Sequence, residues 1–304
     1  MSLRDQSAEA PDSGINPMLT EIVVPGLRRD LKIMHVTDSH LTAADEREDA
    51  AVRQMAEGRT NAFRALSSGP LSTAELLAGH VRLCNESGVD GAVFTGDIID
   101  FPSAANLETI RREYASLKAP YLYTMGNHDW SYTHVDDVSD ELRLRSYAKF
   151  GDWFERAPGC EALEIGGVKL IAVDNSNYQV TAGQFGRIRE QAETGMPVLL
   201  FMHIPAYISG LEPEVRRVWG APIMMGAESW SPEELQLWKV RESDPSTAAF
   251  CDWLRRNPND NVIGLFCGHV HFARQDEFRP GRFQFITEPG FAGGCRLITL
   301  KAER

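Results

Sequence analysis

Short apolar runs recur along the chain, and most of them break off into a cluster of polar residues. The run 31–36, LKIMHV, passes at once into Thr37-Asp38-Ser39-His40. The run 91–95 is apolar through Ala92, Val93 and Phe94 and stops in Gly96-Asp97-Ile98-Ile99-Asp100. The run from Tyr121 ends in Gly126-Asn127-His128-Asp129, 197–202 runs into His203, and 262–267 runs into Gly268-His269-Val270-His271. Such runs, bounded by glycine and polar residues, read as strands. Those that are apolar on both faces read as strands covered on both sides. Further strands are expected at 21–24, at 283–287 and 296–300, and as a hairpin of 162–165 and 168–173 about Gly166-Gly167.

Between these runs the apolar positions recur with a helical period. Residues 43–72 read as a helix plus surface loop, 73–86 as a helix capped by Thr73, and 103–118, 140–156, 184–193 and 247–256 as further helices. The chain therefore begins β-α-β-α-β, which points to a layered α/β domain. Residues 1–20, rich in Ser, Ala, Asp, Pro and Gly, read as a flexible N-terminal tail, leaving 21–304 as one domain. Residues 206–245 break the alternation with Pro213, Pro222, Pro232, Pro245, three tryptophans and Met224-Met225. That stretch is too short for an independent core and is expected to be an insertion over the sheet edge that sets specificity.

Composition narrows the partners. With 304 residues, 43% hydrophobic and 24% charged, the chain can bury a sizeable core. A net charge of −12 argues against a protein built to grip nucleic acid or an anionic membrane. Metal ions could still present positive charge to a small anionic substrate. Cys84, Cys160, Cys251, Cys267 and Cys295 are odd in number, lack CxxC spacing and read as reduced, apolar residues. The first residues contain no apolar signal-like region, and no run approaches the roughly 18 apolar residues of a membrane span. A soluble, cytoplasmic protein is expected, without nucleic-acid or membrane partners and of open oligomeric state.

The polar clusters carry the candidate chemistry. Asp38 and His40 stand two apart, so on an extended chain both leave the same face. Five of the eight histidines (His40, His128, His203, His269 and His271) fall at strand ends. Each cluster alone reads equally well as a polar turn. Together they lie where open α/β folds place their ligands, at one sheet edge. Oxygen donors mixed with imidazoles, and no thiolate, suit Mn, Fe or Zn better than Mg or Ca. One carboxylate can bridge two such ions roughly 3.5–4 Å apart.

In these residues the chain resembles the calcineurin-like metallophosphoesterases. The family's D-x-H, G-D-x-x-D, G-N-H-D/E, H and G-H-x-H stand here as Asp38-Ser39-His40, Gly96-Asp97-Ile98-Ile99-Asp100, Gly126-Asn127-His128-Asp129, His203 and Gly268-His269-Val270-His271. The match spans 31–271 and leaves no motif position empty. The resemblance implies an α/β fold, a four-layer αββα sandwich of two mixed β-sheets. It implies two divalent or trivalent ions (Mn, Fe or Zn), one held by Asp38, His40 and His271, the other by Asn127, His203 and His269, with Asp97 bridging. The activity implied is hydrolysis of phosphomonoester or phosphodiester bonds of a small molecule by attack of a metal-bridging hydroxide. His128 would protonate or stabilise the leaving alkoxide, and Asp100 is the family-based candidate to orient it. Asp129 is the alternative partner, or a structural hydrogen-bonding group.

Departures narrow the relatives. Phe101-Pro102 and Asp129 differ from the Arg-Gly and G-N-H-E of protein Ser/Thr phosphatases. Asp100 and His40 differ from purple acid phosphatases, which place a metal-binding Tyr at the former position and lack the latter histidine. What remains is the bacterial-type group that includes class III cyclic-nucleotide phosphodiesterases. Rival readings are a pyrophosphatase acting on a nucleotide or lipid-linked diphosphate, and a metal-binding scaffold without catalysis.

Other candidates have plainer readings. His35 reads as a hydrogen-bonded core or edge histidine and His80 as a surface residue. His134, Asn175 and Asn177 read as loop residues, with reach to the site as the alternative. The Trp/Met cluster at 219–238 reads as the insertion's own small core, or else as an aromatic wall for a base or another apolar leaving group. Arg187, Arg189, Arg216 and Arg217 read as solvated charges.

Overall fold

Parallel strands that are apolar on both faces need cover on both sides, and the chain supplies it with two sheets. The computed structural model describes residues 14–67, 69–132, 139–151, 159–256 and 261–303. In the first sheet β1 (Asn16–Val24), β11 (Gly294–Ala302), β2 (Leu31–Val36), β3 (Gly91–Thr95) and β4 (Tyr121–Thr124) lie in that order. β2, β3 and β4 are parallel, with Val36 opposite Phe94 and Thr95 opposite Thr124, so their C-terminal ends finish side by side. The second sheet runs β5 (Cys160–Ile165), β6 (Val168–Val173), β7 (Val198–Met202), β8 (Val262–Cys267), β10 (Arg282–Ile286), β9 (Arg274–Arg279). Its four central strands are parallel, and β5 and β9 are antiparallel edges.

Side-chain alternation along the strands builds the layers. Ile33, Val93 and Leu122 of the first sheet meet Leu170, Leu199, Phe201 and Phe266 of the second in a core between the sheets. The outer face of the first sheet, with Met34, Val36 and Phe94, is covered by α2 (Thr73–Ser87) and α3 (Ala104–Ala115) through Leu77, Val81, Ile110 and Tyr114. The outer face of the second, with Ile171, Leu200 and Leu265, is covered by α5 (Ala182–Ala192) and α8 (Pro245–Arg256) through Ile188, Phe250 and Leu254. The fold is the four-layer αββα sandwich expected from the sequence.

Several expectations are corrected. Residues 16–20, read as tail, belong to β1, where Asn16 pairs with Gly294 and Thr20 with Ile298 on β11. Residues 1–13 lie outside the described residues. Strand β9 was not expected, because its sequence RQDEFR carries the charges with which proteins blunt a sheet edge. Ser72, not Thr73, caps α2: its hydroxyl accepts the Glu75 N–H while the Glu75 side chain accepts the Ser72 N–H. His80 is fully buried on α2 rather than on the surface. The stretch 43–72 folds as α1 (Ala50–Leu66), and the helix expected over 140–156 is described as α4 (Asp140–Phe150). All five cysteines are free and buried. Among the described residues no helix is long and apolar enough to cross a membrane.

The stretch 206–245 forms α6 (Glu212–Trp219) and α7 (Pro232–Trp238), but it has no separate core. Leu211, Val215, Met224 and Met225 are fully buried in the same cluster as Leu200, Met202 and Leu265 of the second sheet. A bridge between Ala206 and Met225 folds the stretch on itself, and the buried Gln284 amide of β10 fastens it to the sheet, accepting the Ala206 N–H and donating to the Ala206 carbonyl. Met224→Ala should therefore lower the global unfolding free energy, by about 2–5 kcal/mol, rather than loosen the insertion alone. A shift of the main urea-unfolding midpoint checks this.

Burial pushes the His80 imidazole down to about 4, with the Gly293 and Gly294 backbone opposing. The folded value lies below that of an unfolded histidine, so the unfolded chain binds the extra proton between pH 6.5 and 4. Stability is consequently lost as pH falls through that window, and His80 contributes no slope above it. Wild type should lose about 1.4 kcal/mol per pH unit more than His80→Leu across the window. Urea midpoints measured for both proteins from pH 7 to 4.5 test the difference.

Candidate metal centre

The strands deliver their polar residues through strained backbone. Asp38 (φ 52°), His40 (φ 47°), Asp97 (φ 48°), His269 (φ 71°) and His271 (φ 57°) all occupy the left-handed region. Each such non-glycine residue costs of order 1–3 kcal/mol and persists only where its surroundings enforce it. Here backbone bonds do so. The Asp38 N–H donates to Gly96 O at 3.1 Å, the His40 N–H to Asp97 O at 2.8 Å and the Leu41 N–H to Ile98 O at 3.0 Å. The Gly268 N–H donates to His203 O at 3.0 Å, and the Phe291 N–H to Asp38 O at 2.9 Å. Close approach explains two glycines: a Cβ at Gly96 would overlap the Gly126 backbone, and one at Gly268 would overlap Thr37 Oγ1 and Asp38 Oδ2.

These turns bring the donors into two groups, Asp38 with His40 and His271, and Asp97 with His203 and His269. Within each group the donor atoms all lie within 4.8 Å of one another. His271 Nε2 is 3.3 Å from Asp38 Oδ1 and 3.2 Å from His40 Nε2. His203 Nε2 is 3.1 Å from Asp97 Oδ2 and 3.3 Å from His269 Nδ1. Asp97 Oδ2 also lies 3.8 Å from His40 Nε2, so one carboxylate oxygen faces both groups. The Oδ1 atom accepts the His128 backbone N–H at 2.8 Å. Asn127 Oδ1 is buried without a hydrogen-bond partner among the described residues, on a residue that shares a cavity wall with His269. An unsatisfied buried acceptor costs roughly 1–3 kcal/mol, and a cation would satisfy it. Mixed carboxylate, amide and imidazole donors therefore fit metal ions.

The imidazoles of His40, His203 and His269 are each oriented by a bond to the other ring nitrogen, the usual arrangement for metal-binding histidines. His40 Nδ1 lies 2.9 Å from Asp100 Oδ1 and His269 Nε2 lies 2.9 Å from the Tyr178 hydroxyl. His203 Nδ1–H donates to Thr95 O at 2.8 Å. Rings back them up: Phe63 stacks on His40 with centroids 4.6 Å apart, and Trp219 meets His271 edge-on at 5.1 Å.

Asp100 and Asp129 have separate tasks. Asp100 Oδ1 is 3.1 Å from His128 Nδ1, and Arg59 grips the same carboxylate. Asp129 instead accepts the backbone N–H groups of Asp97, Gly126 and Ile99 at 2.8, 2.7 and 3.1 Å, tying the β3 and β4 loops together. Burial and the neighbouring Asp97 raise the Asp129 carboxyl to about 7. Burial opposes charging His128, yet Asp97 and Asp100 carry it up to about 9. Burial likewise works against ionised Asp97, but His203 and His128 hold it well below the usual carboxylate range.

A cavity of about 500 Å³ opens beside Asn127 and His269. Trp130, Tyr178 and Trp238 form its flat apolar walls, and Ser131, Asn177 and Arg241 add polar groups. The insertion thus supplies an aromatic wall as well as core. Asn177 lines the cavity, whereas Asn175 is spent on the Ile204 backbone. His35 is a buried structural residue between Thr287 and Thr95. His134 lies outside the described residues. Arg189, Arg216 and Arg217 pair with glutamates. Sequence reasoning missed Arg59, Phe63 and Tyr178. Arg59 and Phe63 stand four apart on α1, one helical turn, which was the available signal.

Strand-end donors from two facing sheets thus form a candidate metal centre, and sequence comparison supplies the family. The calcineurin-like phosphoesterase family matches residues 31–273, and the chain belongs to that family. A cAMP/cGMP dual specificity phosphodiesterase of Mycobacterium tuberculosis is 28% identical over 205 residues, covering 62% of this chain and 54% of that protein. The match thus spans about half the length of this relative. Among solved structures, a dimetal phosphatase from Danio rerio is similar at a TM-score of 0.47 and 13% identity, over 86% of this chain and 88% of that one. A purple acid phosphatase from yellow lupin seeds reaches a TM-score of 0.48 at 13% identity, over 89% of this chain and 45% of that one.

Gly268→Ala should destabilise the protein by about 1–3 kcal/mol and weaken Mn(II) binding. Gly183→Ala, on α5 with open space around its Cα, is expected to be neutral or slightly stabilising. Thermal melts and Mn(II) titrations of the two variants give the comparison.

Proposed function

We propose that this chain is a hydrolase of phosphoester bonds in a small organic molecule, working at two metal ions. The observation that carries the reading is Asp97 Oδ2, buried and facing both donor groups. One ion would be held by Asp38, His40 and His271, the other by Asn127, His203 and His269, with Asp97 shared between them. When bound, such a pair supplies positive charge for the phosphoryl oxygens and acidifies a water to make the nucleophile.

The chain's own residues do the rest. The Asp100 carboxylate beside its ring favours the protonated form of His128. Its Nδ1 is tied to Asp100, which leaves the Nε2–H to protonate the leaving oxygen as the P–O ester bond breaks. Asp100 fixes the ring and stabilises its charge. The cavity takes the leaving group: about 500 Å³ with flat aromatic walls is the size and shape for a bulky ring system. That favours a diester, or a monoester of a large alcohol, over small phosphates. The related phosphodiesterase's action on cAMP and cGMP is in line with a cavity of this kind.

The test pairs metal analysis with turnover of 3′,5′-cyclic AMP, bis-p-nitrophenyl phosphate and p-nitrophenyl phosphate. Two metals per chain and a preference for diesters are expected. His128→Ala should keep both metals and lower kcat by about 10²–10⁴-fold. The loss should be larger for an alkyl leaving group than for p-nitrophenolate, which departs without a proton. Two metals with equal losses on both leaving groups would remove His128 from the acid role.

A further inference from the structure

Arg59 lies on α1, outside all five strand-end motifs, yet it reaches the centre through Asp100. Its Nε is 2.5 Å from Asp100 Oδ2 and its Nη2 is 2.6 Å from Asp100 Oδ1, a two-pronged ion pair with a fully buried carboxylate. Its guanidinium also lies 4.9 Å from the centroid of Phe63, the ring that stacks on His40. Asp100 Oδ1 is the atom that meets both His40 Nδ1 at 2.9 Å and His128 Nδ1 at 3.1 Å. A single oxygen serving two imidazoles holds both in place only if the carboxylate plane is fixed. The Arg59 fork fixes it, because planar guanidinium and planar carboxylate meet edge to edge.

We propose that Arg59 is a positioning residue of the metal centre, setting through Asp100 the orientation of both His40 and His128. This rests on the reading above, in which His40 holds metal and His128 donates a proton. Arg59 bonds to Asp100 and packs on Phe63 rather than on the residues proposed above to hold metal. Its effect is to aim His40 Nε2 inward and to keep His128 beside the same carboxylate. Helix α1 thereby becomes part of the site, and its docking through Phe63 and Arg59 couples its position to metal affinity.

The experiment titrates metal-stripped protein with Mn(II), reading free Mn(II) by electron paramagnetic resonance. Wild type, Arg59→Ala, Arg59→Lys, Asp100→Asn and the Arg59→Ala/Asp100→Asn double variant are compared. Wild type should bind two ions. Arg59→Ala should weaken one of them about 10–100-fold and leave the other nearly unchanged. In the double variant the loss should equal that of Asp100→Asn alone, because Arg59 acts through Asp100. Arg59→Lys should recover only part of the affinity, since a point charge cannot make the two-pronged contact. If Arg59→Ala does not fold, Arg59→Lys alone and combined with Asp100→Asn makes the same comparison. Wild-type affinity for both ions in the Arg59 variants, or losses that add in the double variant, would overturn the proposal. Failure of wild type to bind two ions would instead overturn the metal-pair reading on which it stands.

Discussion

Asp97 is a buried carboxylate, and a buried carboxylate must be surrounded by donors or be lost to protonation. Here one oxygen takes a backbone N–H from His128 and the other faces imidazoles of both donor groups. Its own N–H is held by Asp129, itself buried. The turns at His40 and His128 bond directly to this residue, through its carbonyl and its Oδ1. Asp38, His40, Asp97, His269 and His271 all accept left-handed backbone, a strain that packing alone gives no reason to keep.

The sandwich makes that arrangement rigid. Asp38, His40, Asp97 and Asn127 come from ends of the first sheet, His203, His269 and His271 from ends of the second. The centre therefore straddles the two sheets, and its geometry is only as good as the core between them. That core is made of large interlocked side chains: Phe201 stacks on Phe266 with centroids 5.1 Å apart, and Phe266 on Phe285 at 5.0 Å. Covering the second sheet with residues of the 206–245 stretch extends the same rigidity to the wall of the cavity.

The strands and the metal-donor candidates could be read from the chain because both signals are local. A continuously apolar run such as 91–95 followed by Gly-Asp, or 262–267 followed by Gly-His-Val-His, announces a buried strand and its polar end together. What escaped reading depends on contacts between distant segments. The pairing of residues 16–20 with β11 is set by a strand nearly the whole chain away. RQDEFR is a strand only because β10 lies beside it. His80 carries no mark distinguishing a buried from an exposed helical face. Arg59 is one of three arginines on α1 until the helix is seen to place it against Asp100. Asp129 had two open roles, and only the three N–H groups that it accepts decide between them.

Whether Asp97 sits between two bound ions is decided by anomalous diffraction from crystals grown with Mn(II). Two strong peaks are expected, one among Asp38, His40 and His271, the other among Asn127, His203 and His269, with Asp97 Oδ2 in contact with both. A single peak, or two peaks with Asp97 ligating neither, would contradict the account.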